Sequence, residues 1–316
     1  MMESKNSEKK EQADHLLTHL LSSSSPNQHT LRVGFAGPPG VGKSSLIEAF
    51  GMYLLEEHDD SVERLAVVCI DPASGISGGS ILGDKTRMNE LSRQERAYVR
   101  PSSNGAELGG LAAYTDDVVT TLAAAGYPLV LVETVGLGQS EVEVAQSVDV
   151  LVLLLAPGGG DDLQGVKKGI VELANILCVT KADGSLEEAA MRTATDYQSA
   201  INVLHQINAR GRMNKVWKPQ VLLTSSTTRK GLDTLWDTIL QFRDHSVASG
   251  DLARKTTKQK EYWMWRQFTR MMQHRLNADP KLKDKAENLS SAVLKGKLTP
   301  RVSAQRLLDA VFRQQG

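Results

Sequence analysis

Two cysteines in 316 residues, Cys69 and Cys178, leave no room for a disulfide framework, and each sits inside an apolar run, "VVCI" and "NILCVT". Buried structural thiols in a reducing compartment are the expectation. No apolar stretch reaches the ~18 residues that span a bilayer, which excludes membrane-spanning helices. Net charge is missing as well, with 37 Lys+Arg against 37 Asp+Glu. That balance removes any global attraction to nucleic acid or to an anionic membrane. The opening thirty residues lack the apolar core of a secretory signal and the Arg-rich, acid-poor composition of a mitochondrial transit peptide. They read as a polar tail, a short helix near Ala13 to Leu21 and a Ser-rich linker. His15 and His19, one turn apart there, have no Cys or further His beside them and are expected to face solvent.

From Leu31 to about Ser249 the chain alternates strand-like and helix-like runs. "LRVGFAG", "RLAVVCID", "PLVLVET", "DVLVLLLAP", "NILCVTKAD" and "KPQVLLTS" are the expected strands, with helices over Leu108–Ala125, Leu163–Ala174 and Ser185–Leu204 among those between them. Near-continuous Val/Leu/Ile strands are those covered by helices on both faces, so the spacing predicts an α/β fold: a doubly wound, mostly parallel sheet over 31–250. Ligands of such sheets bind at the carboxyl ends of the strands. Residues 251–316 read as two or three helices, the last opened by Thr299 as N-cap and Pro300 in the first turn. Tyr262, Trp263, Trp265, Phe268 and Met272 give the first of them more apolar bulk than a solvated arm needs, either for packing on the α/β domain or for a partner.

"GPPGVGKS" follows the first strand and fits the phosphate-loop pattern G-x-x-x-x-G-K-S. Gly37, Gly40, Val41, Gly42, Lys43, Ser44 and Ser45 are the expected phosphate contacts: glycines turn backbone N–H groups inward and the next helix adds its positive end. Lys43 is expected on the β and γ oxygens and Ser44 on Mg2+. Asp71, at the tip of the second strand, and Asp84, in a Gly/Ser-rich stretch, are candidate carboxylates for the same metal. "ETVGLGQ" puts Glu133 and Gly136 where switch GTPases carry D-x-x-G, the acid serving Mg2+ and the glycine N–H meeting the γ-phosphate. Leu137 stands where small switches keep a water-orienting Gln, so slow intrinsic hydrolysis is expected, with Gln139 the nearest substitute. Lys43, Asp84, Glu133 and Gln139 are thus the candidate catalytic groups.

"TKAD" closes the fifth expected strand. Thr180, Lys181 and Asp183 there select the base: the Lys181 stem lies over the purine, and the Asp183 carboxylate accepts from the guanine ring N–H and amine, which adenine cannot supply. Ser225 and Ser226, at the end of the next strand, are expected to complete that recognition. "PGGGDDLQGVKKG" forms a further loop at the nucleotide edge, with Gly158, Asp161, Asp162, Gln164, Lys167 and Lys168 available.

Taken together, "GPPGVGKSSLIEAFG", "GGSILGDKTRM", "ETVGLGQSE", "GGDDLQGVKKGI" and "TKADG" resemble the MeaB/ArgK family of G-protein chaperones of adenosylcobalamin-dependent methylmalonyl-CoA mutase, from about Leu31 to the C-terminus. The resemblance implies a P-loop GTPase using GTP and Mg2+, with Asp71, Asp84 and Glu133 clustered around the metal. It also implies a switch over Gly158–Lys168 that relays nucleotide state to the mutase, and a homodimer formed through the C-terminal helices. The activity it implies is gating of cofactor loading and protection or reactivation of the mutase. Its animal members are mitochondrial, and a eukaryotic source would place this chain in the mitochondrial matrix, any other source in the cytoplasm. A metal-insertion GTPase would need a Cys/His cluster near the nucleotide, and a small-molecule kinase or ATPase an acceptor pocket with its own base. Two isolated cysteines and a guanine motif speak against both.

Overall fold

The computed structural model describes residues 7–23, 30–58, 61–71, 88–103, 115–134, 144–158, 168–208 and 217–313. The chain divides into two compact units, Met1–Thr256 and Thr257–Gly316. Seven strands build one sheet in the first unit: β1 (Leu31–Ala36), β2 (Leu65–Asp71), β3 (Ala97–Ser103), β4 (Leu129–Glu133), β5 (Val150–Leu155), β6 (Ile176–Val179) and β7 (Gln220–Leu223). Their order is β3-β2-β4-β1-β5-β6-β7, and every ladder is parallel. The chain fills one side of β1 and then the other, so the direction of winding reverses at β1, where a doubly wound sheet opens its crevice.

The helices are α1 (Ser7–Ser23), α2 (Lys43–Glu57), α3 (Thr115–Ala124), α4 (Lys168–Leu173), α5 (Glu187–Asn208), α6 (Leu232–Ala248), α7 (Asp251–Ala278), α8 (Pro280–Leu294) and α9 (Pro300–Arg313). Every residue of β1, β5 and β6 is buried, which is why β5 and β6 read as unbroken apolar runs; Arg32 alone interrupts β1. One core lies on the face where α2 and α6 pack, with Leu46, Ile47, Phe50, Trp236 and Ile239 against Val33, Phe35, Leu131 and Val152. Phe50 meets Phe35 and Trp236 edge-on, each pair of ring centroids 6.2 Å apart. The opposite face holds Val118, Leu122, Ile170, Tyr197 and Ile201 over Val130, Val132, Leu151 and Leu177.

The amino ends of the strands are pinned by charge. Arg32 in β1 and Asp149, just before β5, are 8% and 1% exposed. Asp149 Oδ2 accepts from the Arg32 backbone N–H at 2.9 Å and from its Nε at 3.1 Å. Lys255, in the first turns of α7, donates to the Asp149 carbonyl at 2.9 Å. Burial pushes the Lys255 amine down to about 8; Asp149 opposes the shift and Arg32 adds to it.

Several boundaries differ from expectation. Six strands are legible in the sequence; the seventh, β3, carries Pro101 and two serines, a composition tolerated because β3 pairs only with β2 at the edge of the sheet. The helix expected from Ser185 begins at Glu187, after a 3-10 turn over Gly184–Leu186. The N-terminal helix extends beyond its apolar centre to Ser7–Ser23. In the second unit the expected two or three helices are the remainder of α7 with α8 and α9. Thr299 Oγ1 accepts from Val302 N at 3.3 Å, the N-cap its sequence predicts. Asp279, ahead of Pro280, caps α8 the same way, accepting from Lys281 N and Leu282 N at 2.8 and 3.3 Å.

Candidate nucleotide-binding site

β1 delivers the chain to Gly37, and the loop Gly37–Gly42 turns it into α2. Gly37 has φ +154 and Gly42 φ +101. A Cβ on Gly37 would lie 2.7 Å from the Leu154 carbonyl oxygen, so the loop's hinge sits against β5 where only glycine fits. Lys43 opens α2 with its side chain folded back over the loop, Nζ donating to the carbonyls of Gly37 at 2.9 Å and Pro38 at 3.0 Å. It is 8% exposed. A buried ammonium held by neutral carbonyls is a cation at hand for an anion in the loop.

Ser44, one residue on, donates to Glu133 Oε1 at 2.6 Å. Glu133 ends β4 and lies level with Phe35 of β1 and Cys69 of β2. Asp71 ends β2 two positions further on, at the same end of the sheet. The Thr134 N–H donates to the Phe35 carbonyl at 3.2 Å, extending the ladder beside the loop. Ser45 is exposed on α2.

The base-reading segments close the other side. Thr180 is 2% exposed, and its hydroxyl donates to the Val41 carbonyl at 2.6 Å, with the Leu155 carbonyl at 3.3 Å. It therefore locks the end of β6 to the phosphate loop. Lys181 adopts a left-handed backbone, φ +56, and its Nζ donates to the Gly40 carbonyl at 2.9 Å while its stem passes over Gly42. A non-glycine residue in this region stores strain that the surroundings must hold. The Ala182 N–H donating to the Thr224 carbonyl at 3.0 Å is one such hold. Asp183 accepts from the buried Ser225 hydroxyl, and the Thr228 N–H donates to Ser225 Oγ at 3.0 Å. Ser226 follows at the turn, half-buried. Cys178 lies behind this edge with its thiol 3.0 Å from the Thr224 hydroxyl; burial pushes it up to about 12, so it carries no reactive thiolate.

Gly37, Gly40, Val41, Gly42, Lys43, Ser44, Thr180, Lys181, Asp183, Ser225 and Glu133 thus come to one end of the sheet. Gly158, with φ +80, follows the carboxyl end of β5, and its N–H donates to the Thr193 hydroxyl at 3.1 Å. Thr193 is a buried residue of α5 that sequence reasoning missed; a lone Thr within a helix carries no pattern that announces it. Lys168 opens α4. Asp84, Gly136, Gln139, Asp161, Asp162, Gln164 and Lys167 lie outside the described residues.

A family model described as "Methylmalonyl Co-A mutase-associated GTPase MeaB" matches residues 1–281. The mouse "Methylmalonic aciduria type A homolog, mitochondrial" is 40% identical over 98% of this chain and 74% of its own length. The Escherichia coli "GTPase ArgK" is 38% identical over 95% of this chain and 88% of its own. Among solved structures, that of the LAO/AO transport system kinase superposes with a TM-score of 0.71 at 30% identity, covering 98% of this chain and 90% of that one.

Proposed function

Because this chain belongs to the family of methylmalonyl-CoA mutase-associated GTPases, we propose that it is the guanine-nucleotide-driven chaperone of an adenosylcobalamin-dependent acyl-CoA mutase, methylmalonyl-CoA mutase first among them. It is a P-loop GTPase. In this reading nucleotide state gates delivery of the mutase's cofactor and protects or reactivates the mutase. The observation that carries the nucleotide half is the pair of bonds from Thr180 and Lys181 to the phosphate loop, with Asp183 and Ser225 bonded to each other at the ends of the same two strands. Beyond its bond from Ser225, the Asp183 carboxylate has room to accept, so a purine offering two N–H groups suits it and adenine, which presents a ring acceptor there, does not.

Mg2+ suits the residues present. The Ser44 hydroxyl and the Glu133 carboxylate are hard oxygen donors already 2.6 Å apart, and a magnesium site on a nucleotide asks for one or two such ligands. Bound there, Mg2+ supplies charge neutralisation for the β- and γ-phosphates. Lys43 exchanges the Gly37 and Pro38 carbonyls for phosphate oxygens, and the Gly40 and Gly42 turns bring backbone N–H groups to the same anion. Asp71, Asp84 and Gln139 complete this reading as metal and water-orienting residues, and Gly136 as the γ-phosphate contact. Gly158, Asp161, Asp162, Gln164, Lys167 and Lys168 form the relay to the mutase. The Gly158–Thr193 bond supports that role, since it ties the start of the relay to α5.

The second unit belongs to the same reading as a homodimerisation arm. On α7, Met264, Trp265, Phe268 and Met271 are all half or more exposed, an apolar face that a solvated monomer has no use for. The relation to mitochondria is proposed from the mouse relative's name alone; no described helix is long and apolar enough to cross a membrane. The test is GTP turnover by the purified chain, alone and with apo methylmalonyl-CoA mutase. A slow basal rate raised several-fold by the mutase is the expected result. A rate indifferent to it rejects this partner.

A further inference from the structure

The segment after β7, residues 225–231, has no glycine until its last position, yet it turns back on itself at once. The Ser225 N–H donates to the Lys230 carbonyl at 3.0 Å, and the Thr228 N–H donates to Ser225 Oγ at 3.0 Å. Gly231 closes the turn with φ +77, where a Cβ would lie 2.1 Å from the Leu223 carbonyl oxygen. Arg229 takes the strain. Its φ is +60, a left-handed backbone that a residue with a long side chain disfavours. Such a conformation persists when its surroundings hold it.

Two ion pairs provide that hold, one on each side of the turn. Arg229 Nη1 donates to Glu56 Oε2 at 2.5 Å, and Glu57 and Glu90 add to the negative field around it. Lys230 Nζ donates to Glu187 Oε1 at 2.6 Å. Glu56 lies in the last turn of α2, the helix that starts at Lys43 of the phosphate loop. Glu187 opens α5, just after the 3-10 turn that follows Asp183. The turn that presents the Ser225 hydroxyl to Asp183 is thus pegged to both helices that carry nucleotide-reading groups.

We propose that Arg229 and Lys230 are positioning residues that set how long a guanine nucleotide stays bound. Neither touches the ligand in this scheme. They keep Ser225 against Asp183 in one arrangement, so that the base edge is already ordered when the nucleotide arrives. Order held in advance is not lost on binding, and its removal falls on the dissociation rate. The four side chains are 41–55% exposed, which leaves both pegs open to screening by salt. This rests on the guanine reading above and names what governs the lifetime of that complex.

The experiment follows release of N-methylanthraniloyl-GDP from the full chain into excess unlabelled GDP. Arg229→Gln and Lys230→Gln are each expected to release the probe about threefold faster, and the double variant about tenfold faster. Association rates and urea midpoints stay at wild-type values, which a general loosening of the fold would not allow. Salt quickens release from the wild type more steeply than from the double variant. Glu56→Arg alone speeds release, and combining it with Arg229→Glu brings the rate back toward wild type. Arg192→Gln opens an equally exposed pair with Glu188 on α5 and leaves release unchanged. Wild-type release rates in both single variants, or an equal acceleration by Arg192→Gln, overturn the proposal. If Asp183→Asn still weakens binding in that case, the guanine reading stands. A wild-type chain that does not bind the probe overturns both.

Discussion

The two ends of the sheet are held by different kinds of bond. At the carboxyl ends, Lys43 donates to two loop carbonyls, Ser44 to Glu133 and Lys181 to Gly40, all bonds to groups that a nucleotide and its metal can replace. At the amino ends, Arg32 and Asp149 share a buried ion pair braced by the backbone, and Lys255 closes it from α7. β1 and β5 run from one end to the other, so the strands that carry the phosphate loop and Gly158 start from a fixed base. One end is made to exchange partners and the other to keep them. The lesson is that the worth of a charge depends on whether it has an alternative partner, since removing half of a closed buried pair leaves the other half stranded.

The comparison breaks most visibly in catalysis. Lys43→Ala removes the cation that answers the developing phosphate charge, and single-turnover GTP hydrolysis is expected to fall on the order of 1000-fold while thermal stability stays within about 1 kcal/mol. Asp149→Ala should do the reverse. It takes the carboxylate away from the buried Arg32 guanidinium, and urea unfolding should show a loss of about 3–5 kcal/mol, with GTP affinity of the folded protein unchanged. The double replacement Arg32→Met with Asp149→Leu recovers most of that loss if the pair, and not its volume, is what matters.

A smaller effect sharpens the picture at Lys255. Its amine is held at about 8 in the folded protein against an ordinary 10.5. Below pH 8 both states carry the proton and the cost of burying it is felt in full. Between 8 and 10.5 the unfolded chain holds more protons, so stability rises with pH across that window, by on the order of 3 kcal/mol. Lys255→Met is expected to remove this slope in pH-dependent urea unfolding. An unchanged slope assigns it to other groups.

Much of this is legible in the amino-acid sequence itself. Lys43 and Ser44 announce themselves because phosphate binding needs glycine, lysine and hydroxyl at fixed spacing after a strand, Glu133 because it closes an apolar strand, and β5 and β6 show as unbroken apolar runs because every one of their residues is buried. Edge strand β3 does not show: Pro101 and two serines break its apolar pattern, which a place at the edge of the sheet tolerates. The motif assigns Thr180 to the nucleotide, and the fold gives its hydroxyl to the Val41 carbonyl, a task that any small donor at that height performs. The left-handed backbone of Lys181 is illegible too, since nothing in a lysine announces it and the strain is held by neighbours. The Gly158–Thr193 bond joins residues 35 apart in sequence through a helix whose pattern is otherwise ordinary.

The central claim is that the β6–β7 end reads guanine through one carboxylate, and the most direct measurement is nucleotide preference in Asp183→Asn. An amide in that place donates where guanine also donates and accepts from only one side. GTP affinity should fall about 100-fold, and xanthosine triphosphate, which offers a carbonyl where guanine has its amine, should become the preferred ligand. Wild-type GTP affinity in that variant contradicts the account.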